Sequence, residues 1–161
     1  MRVGIVGSGR IGGNAGIQLA RSGHEVLFSY SRDPVKLERL ASEGPGARIG
    51  TPREAVEFAE AVVFAVPWRL IDDVLGEMGT LAGRVVVDMT NQYGSGGLEE
   101  LPDGLSAVET NARRMPGAML TKAFNTLRPA ISATSPRVGS TATSRCSSRP
   151  RSNRRSTPSR P

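Results

Sequence analysis

The sequence predicts an α/β fold: a doubly wound, mostly parallel six-stranded sheet with a disordered C-terminal tail. Three observations predict it. Short apolar runs alternate with helix-patterned stretches, as in parallel strands joined by crossover helices. The runs Ala61–Val66 and Val85–Val87 are continuously apolar, as strands covered on both faces are. Finally, composition changes abruptly near Leu127. Residues 128–161 hold eight Arg, nine Ser, five Pro and four Thr, with no Lys and no acidic residue. Such a segment cannot bury enough apolar surface to offset its ordering entropy, so disorder is expected.

The elements follow in order. Val3–Val6 is the first strand, and a glycine-rich turn leads into a helix patterned on Ile11, Ala15, Leu19 and Ala20. Ser22-Gly23 ends that helix, and Glu25–Tyr30 reads as the second strand. Asp33 can cap a second helix with Pro34 in its first turn. Arg48-Ile49 is a short third strand. Thr51 then caps a helix through Phe58, with Pro52 in the first turn and Glu54 completing a capping box. Ala61–Val66 is the fourth strand, and a helix over Leu70, Ile71, Val74 and Leu75 follows. Val85–Asp88 is the fifth strand. Gly94–Gly104 reads as a loop, Ser106–Met115 as a helix and Met119–Phe124 as the sixth strand.

Composition narrows the class. With 161 residues, 38% apolar, the chain can bury a core without disulfides or metal. Its one cysteine, Cys146, cannot form an internal bridge, and no Cys/His group has metal-ligand spacing. There is no apolar run of membrane-helix length and no signal-peptide pattern, so a cytoplasmic setting is expected. All 15 acidic residues precede Arg128, with 13 of the 21 basic ones, so the net charge of +6 belongs to the tail.

Gly7-Ser8-Gly9-Arg10-Ile11-Gly12 is GxGxxG, placed directly between a strand and a helix. Gly7 permits the turn, Gly9 lets backbone approach a pyrophosphate, and Gly12 lets helix pack near strand. The helix N-terminus offers unpaired N–H groups to phosphate. A ligand-free glycine turn is the alternative that the strand, helix and spacing together disfavour. Twenty residues beyond Gly12, where NAD-binding folds place an acid, stands Arg32. Its guanidinium can pair with a 2′-phosphate; Ser31 adds a hydroxyl and Lys36 a second cation, which favours NADP over NAD. Asp33 is read as a helix cap, the ribose being its competing partner.

Open parallel sheets bind ligands at the carboxyl ends of their strands. Val66 and Trp68 follow the fourth strand, Asn91 the fifth, and Ala123 and Asn125 the sixth. Trp68 can wall a pocket or pack a helix start. Asn91 and Asn125 can bond a carboxamide or ribose, or simply form turns. The only histidine, His24, stands at the entrance of the second strand, far from those ends. No catalytic residue is therefore assigned. Chemistry would run on bound cofactors, and direct hydride transfer requires least of the protein.

These residues, with Ala65-Val66-Pro67, Val87-Asp88, Thr90-Asn91 and Lys122-Ala123-Phe124-Asn125-Thr126, resemble the NADPH-dependent reductases of the deazaflavin coenzyme F420 and their dinucleotide-binding relatives. The resemblance covers about residues 1–127. It implies a Rossmann-type domain in which hydride passes directly between NADPH and the deazaflavin, with no side chain carrying a proton. By motif, Ser8–Gly12 would hold the pyrophosphate, Ser31, Arg32 and Lys36 the 2′-phosphate, and Val66, Trp68 and Ala123 the nicotinamide side. Two alternatives stand beside it. One is the sheet domain of a hydroxyacid or imine-reducing dehydrogenase. The other is a non-catalytic NADP-binding module whose basic tail meets nucleic acid non-specifically. Small-molecule cofactors are the expected partners, with no specific nucleic acid and no membrane; a homodimer is compatible with the sequence.

The tail departs from the family pattern, since relatives continue past the sixth strand with structure that shapes the deazaflavin site. The body carries 11 Arg against only Lys36 and Lys122, the mark of a GC-rich gene. Such a gene read in a shifted frame yields an Arg/Ser/Pro/Thr string. The expected organisation is an NADP-binding domain over 1–127 and a frameshift product over 128–161; an evolved basic tail is the alternative.

Overall fold

The computed structural model describes residues 1–94 and 96–126. The Arg/Ser/Pro-rich segment, its expected disorder and its shifted-frame reading lie outside the described residues. The chain runs β1 (Arg2–Val6), α1 (Arg10–Arg21), β2 (Glu25–Ser29), α2 (Pro34–Glu43), β3 (Arg48–Ile49), α3 (Pro52–Phe58) and β4 (Ala61–Phe64). A 3-10 turn at Trp68–Leu70 enters α4 (Ile71–Met78), and β5 (Val85–Asp88) follows. β6 (Tyr93–Gly94) and β7 (Gly97–Leu98) form a small antiparallel ribbon. Then come a 3-10 turn at Pro102–Gly104, α5 (Ala107–Arg114) and β8 (Met119–Lys122).

The main sheet has the order β3-β2-β1-β4-β5-β8, and each of its pairings is parallel. This is the doubly wound sheet the sequence predicts. Register brings the last residues of five strands into one row: Val6 beside Ser29 and Phe64, Phe64 beside Asp88, and Asp88 beside Lys122. The strands alternate their side chains between two cores. Ile5, Phe28 and Val63 pack with Ile17 and Ala20 of α1 and Leu40 of α2. Val6, Val62, Phe64 and Val86 pack with α3, α4 and Met115 on the other face. Ile5, Phe28 and Phe64 are fully buried, and each such side chain contributes about 1.5–3 kcal/mol relative to exposure.

Caps set the helix starts. Asp33 Oδ1 accepts from the Val35 N–H at 3.0 Å, so Asp33 caps α2. The Thr51 hydroxyl accepts from the Glu54 N–H at 3.2 Å while the Thr51 N–H donates to Glu54 Oε2 at 2.7 Å, the expected capping box of α3. Ser106 and Glu109 form a second box at α5, which the sequence reading had not specified.

Three strands are shorter than the apolar runs suggest, ending at Ser29, Phe64 and Lys122 rather than Tyr30, Val66 and Phe124. Tyr30 and Phe124 adopt positive φ (56° and 59°), which takes the backbone out of the ladder. Beyond Phe64 the chain turns toward Pro67, which has no N–H to give. The expected Gly94–Gly104 loop contains β7, part of β6 and the second 3-10 turn, because Gly97 at φ 115° allows the tight ribbon.

Candidate functional site

The row of strand ends opens onto a cleft of about 690 Å³. Its floor is the turn from β1 into α1. Gly7 has φ 101°, and a Cβ there would lie 2.5 Å from the Ala65 carbonyl oxygen, so no other residue fits. Gly12 is a close-approach glycine, because its Cβ would strike the Gly7 carbonyl. Gly9 differs. Its φ of −72° suits any residue, and a Cβ on it would meet no protein atom within 4 Å, because it would point into open space. The protein's own packing does not require glycine there.

The start of α1 is prepared for an anion. No side chain caps it and its first turn has no acid, whereas Asp33, Thr51 and Ser106 cap α2, α3 and α5, and α4, also uncapped, carries Asp72 and Asp73 in its first turn. The first N–H groups of a helix have no intrahelical acceptor and carry the positive end of the dipole. Ser8 is not part of that offer. Its hydroxyl donates to the Ser29 carbonyl at 2.9 Å and its N–H to the Tyr30 carbonyl at 3.0 Å, which fixes the turn against β2.

Gly7, Ser8, Gly9, Arg10 and Ile11 line the cleft, as do Ser31, Arg32, Lys36, Val66, Trp68 and Asn91. Arg10, Arg32 and Lys36 have no carboxylate partner among the described residues. The only acid lining the cleft is Asp33, whose carboxylate is engaged as the α2 cap. Ser31 Oγ accepts from the Asp33 N–H at 3.1 Å, leaving its own proton to donate. Gly12, Ala123 and Asn125 do not line the cleft. Gly12 lies beneath it, the Ala123 N–H donates to the Asp88 carbonyl at 3.1 Å, and the Asn125 carbonyl accepts from Asn91 Nδ2 at 2.7 Å. Trp68 lines the cleft and is 5% exposed, with the Arg114 guanidinium 4.8 Å above its ring.

Behind the far wall lies a polar cluster that the sequence reading did not assemble. Asp88, fully buried, accepts from the Thr90 N–H at 2.8 Å through Oδ1. Its Oδ2 accepts from Asn111 Nδ2 at 2.9 Å and from Lys122 Nζ at 3.0 Å. Lys122 also donates to the Thr90 carbonyl. The available signal was an acid closing an otherwise all-valine strand, since a buried charge needs a partner. Tyr30, Met89, Thr90 and Tyr93 line the cleft as well, as do Ala65, Pro67 and Leu70. His24 is not among its residues; its Nδ1 lies 3.5 Å from the N-terminal nitrogen.

Residues 2–92 match the family NADP oxidoreductase, coenzyme F420-dependent. The chain belongs to this family. Among solved structures it resembles a hypothetical protein from Sinorhizobium meliloti, at 26% identity and TM-score 0.71, over 81% of this chain and 64% of that one. An inferred F420-dependent NADP reductase from Arthrobacter sp. FB24 shares the fold, at 24% identity and TM-score 0.68, over 79% of this chain and 64% of that one. The V8 variant of the imine reductase from Myxococcus stipitatus, solved in complex with NAD+, matches at 25% identity and TM-score 0.58, over 75% of this chain and 39% of its own. The chain therefore spans less than two thirds of the length of these structures. No curated protein matches it. Among the described residues no helix is long and apolar enough to cross a membrane.

The cleft fits the family's dinucleotide. Open space above Gly9, an uncapped helix start and unpaired cations at the end of β2 are the features a pyrophosphate and a 2′-phosphate require.

Proposed function

We propose that the chain is an NADP(H)-binding oxidoreductase domain that exchanges hydride directly with a deazaflavin coenzyme. The observation that carries the first half is the uncapped start of α1 below the open space at Gly9. The family description supports the second half.

Each residue has a physical task. The N–H groups at the start of α1 bind the pyrophosphate, and Gly9 keeps the approach clear. Arg32 and Lys36 neutralise the 2′-phosphate, and Ser31 donates its free proton to it. Val66 and Trp68 wall the nicotinamide side, with the Arg114 guanidinium stacked 4.8 Å from the indole. Bound NADPH would supply the hydride and solvent the accompanying proton, so no side chain need act as acid or base.

Anaerobic mixing of NADPH and coenzyme F420 with the chain, followed by the loss of deazaflavin absorbance, tests the reading. A panel of imines and keto acids alongside tests the dehydrogenase alternative that the imine reductase fold likeness suggests. Reduction of an imine but not of the deazaflavin would overturn the assignment of electron partner while leaving the NADP site intact.

A further inference from the structure

The buried cluster behind the cleft dictates the direction of one hydroxyl bond. A threonine hydroxyl has one proton to give and two lone pairs to receive. Thr90 Oγ1 lies 3.1 Å from Asn111 Nδ2 and 3.4 Å from Lys122 Nζ. An ammonium can only donate. The Asn111 amide is oriented without ambiguity: Nδ2 faces the Asp88 carboxylate, and Oδ1 accepts from Arg114 at 3.3 Å. Thr90 Oγ1 therefore receives twice, and its own proton has to leave in a third direction. Among the described residues no acceptor takes it. Asp88 Oδ2 is filled by Asn111 and Lys122, and Oδ1, which accepts from the Thr90 N–H, receives no bond from the Thr90 hydroxyl.

Thr90 is 3% exposed and lines the cleft, two residues past the end of β5. The sheet order fixes which part of a ligand arrives there. Arg32 and Lys36 follow β2, the phosphate-binding helix start follows β1, and β4 and β5 lie on the opposite side. A dinucleotide with its 2′-phosphate at Arg32 and its pyrophosphate at α1 extends its nicotinamide half toward Thr90.

We infer that Thr90 is a one-way hydrogen-bond donor to an acceptor oxygen in the nicotinamide half of the bound dinucleotide. Lys122 and Asn111 are the positioning residues that keep it donating. The inference rests on the dinucleotide reading above and adds a residue that distinguishes the two halves of the ligand. Lys122 and Asn111 do not line the cleft, so they act only through Thr90 and Asp88.

The test compares NADPH with adenosine 2′,5′-bisphosphate, which has the 2′-phosphate end and lacks the nicotinamide half. Thr90→Val should bind the bisphosphate as the parent does and NADPH about three- to tenfold more weakly, the worth of one neutral hydrogen bond. Thr90→Ser should bind both like the parent. If Thr90→Val does not fold, Thr90→Ala serves, because a water can take up the bonds donated by Asn111 and Lys122. Unchanged NADPH affinity in a folded Val or Ala variant would overturn the inference. So would an equal loss for both ligands, which marks a merely structural role. A parent chain that binds neither ligand overturns the dinucleotide reading itself, and the inference with it.

Discussion

Lys122 Nζ lies 3.0 Å from Asp88 Oδ2, joining the last residues of β8 and β5 by an ion pair in which Asp88 is fully buried. The register puts the two residues directly opposite one another. The pair places a buried charge between β5 and β8, close behind the cleft wall. Its value is conditional: a buried pair is no great source of stability, but half of one is a large cost.

Lys122→Met should therefore destabilise the domain by about 3–5 kcal/mol, because it leaves the Asp88 carboxylate buried without its cation. Adding Asp88→Asn should recover part of that loss, because it removes the buried charge while keeping an acceptor oxygen for the neighbouring donors. Denaturant unfolding followed by the fluorescence of Trp68, the only tryptophan, measures both. A single variant as stable as the parent would mean that Asn111 and the Thr90 N–H suffice for Asp88.

Gly9→Val should remove dinucleotide binding and leave the fold intact. The backbone there tolerates a side chain and no protein atom stands in its way, so the branched group occupies only the space of the phosphates. Circular dichroism checks the fold and calorimetry the binding. Gly12→Val should instead damage the fold, since its Cβ meets the Gly7 carbonyl.

Arg32→Ala should weaken NADP binding by about 1.5–3 kcal/mol, one charged hydrogen bond, and leave NAD nearly unchanged. Calorimetry with each cofactor measures it. An equal loss for both would remove Arg32 from the 2′-phosphate.

Acid should loosen two helix starts. Hydrogen bonds from the Thr51 backbone and then its side chain hold the Glu54 carboxyl below its usual 4.5. Bonds from the Ser106 side chain and then its backbone do the same for Glu109. A carboxyl depressed in the folded state stabilises it fully above the unfolded value, and that stability is lost as pH falls through the lowered folded value. Between about pH 5 and pH 3 the unfolding midpoint should fall more for the parent than for the Glu54→Gln, Glu109→Gln pair. Parallel pH profiles would contradict this.

How much of this was legible in the sequence depends on the range of the interaction. The capping box at Thr51 and Glu54, the Asp33 cap and GxGxxG are local, so spacing alone exposes them. The strand ends at Tyr30 and Phe124 were misjudged because an aromatic residue reads as strand whatever its φ. Ser8 looked like a phosphate ligand until the structure turned its hydroxyl toward Ser29, 21 residues away. The Asp88–Asn111–Lys122 cluster joins three segments, and only tertiary structure brings them together. Asn125 and Ala123 follow β8, yet among the described residues β8 is the edge strand and β5 separates it from β4.

The central claim is that this cleft is built for a 2′-phosphorylated dinucleotide, and titration calorimetry of the unaltered chain with NADP+ and NAD+ side by side tests it most directly. With Arg32 just beyond β2 and Lys36 in the first turn of α2 both without a carboxylate partner among the described residues, the account predicts that NADP+ binds about ten- to a hundredfold more tightly than NAD+. Equal affinity for the two, or no heat with either, would contradict it.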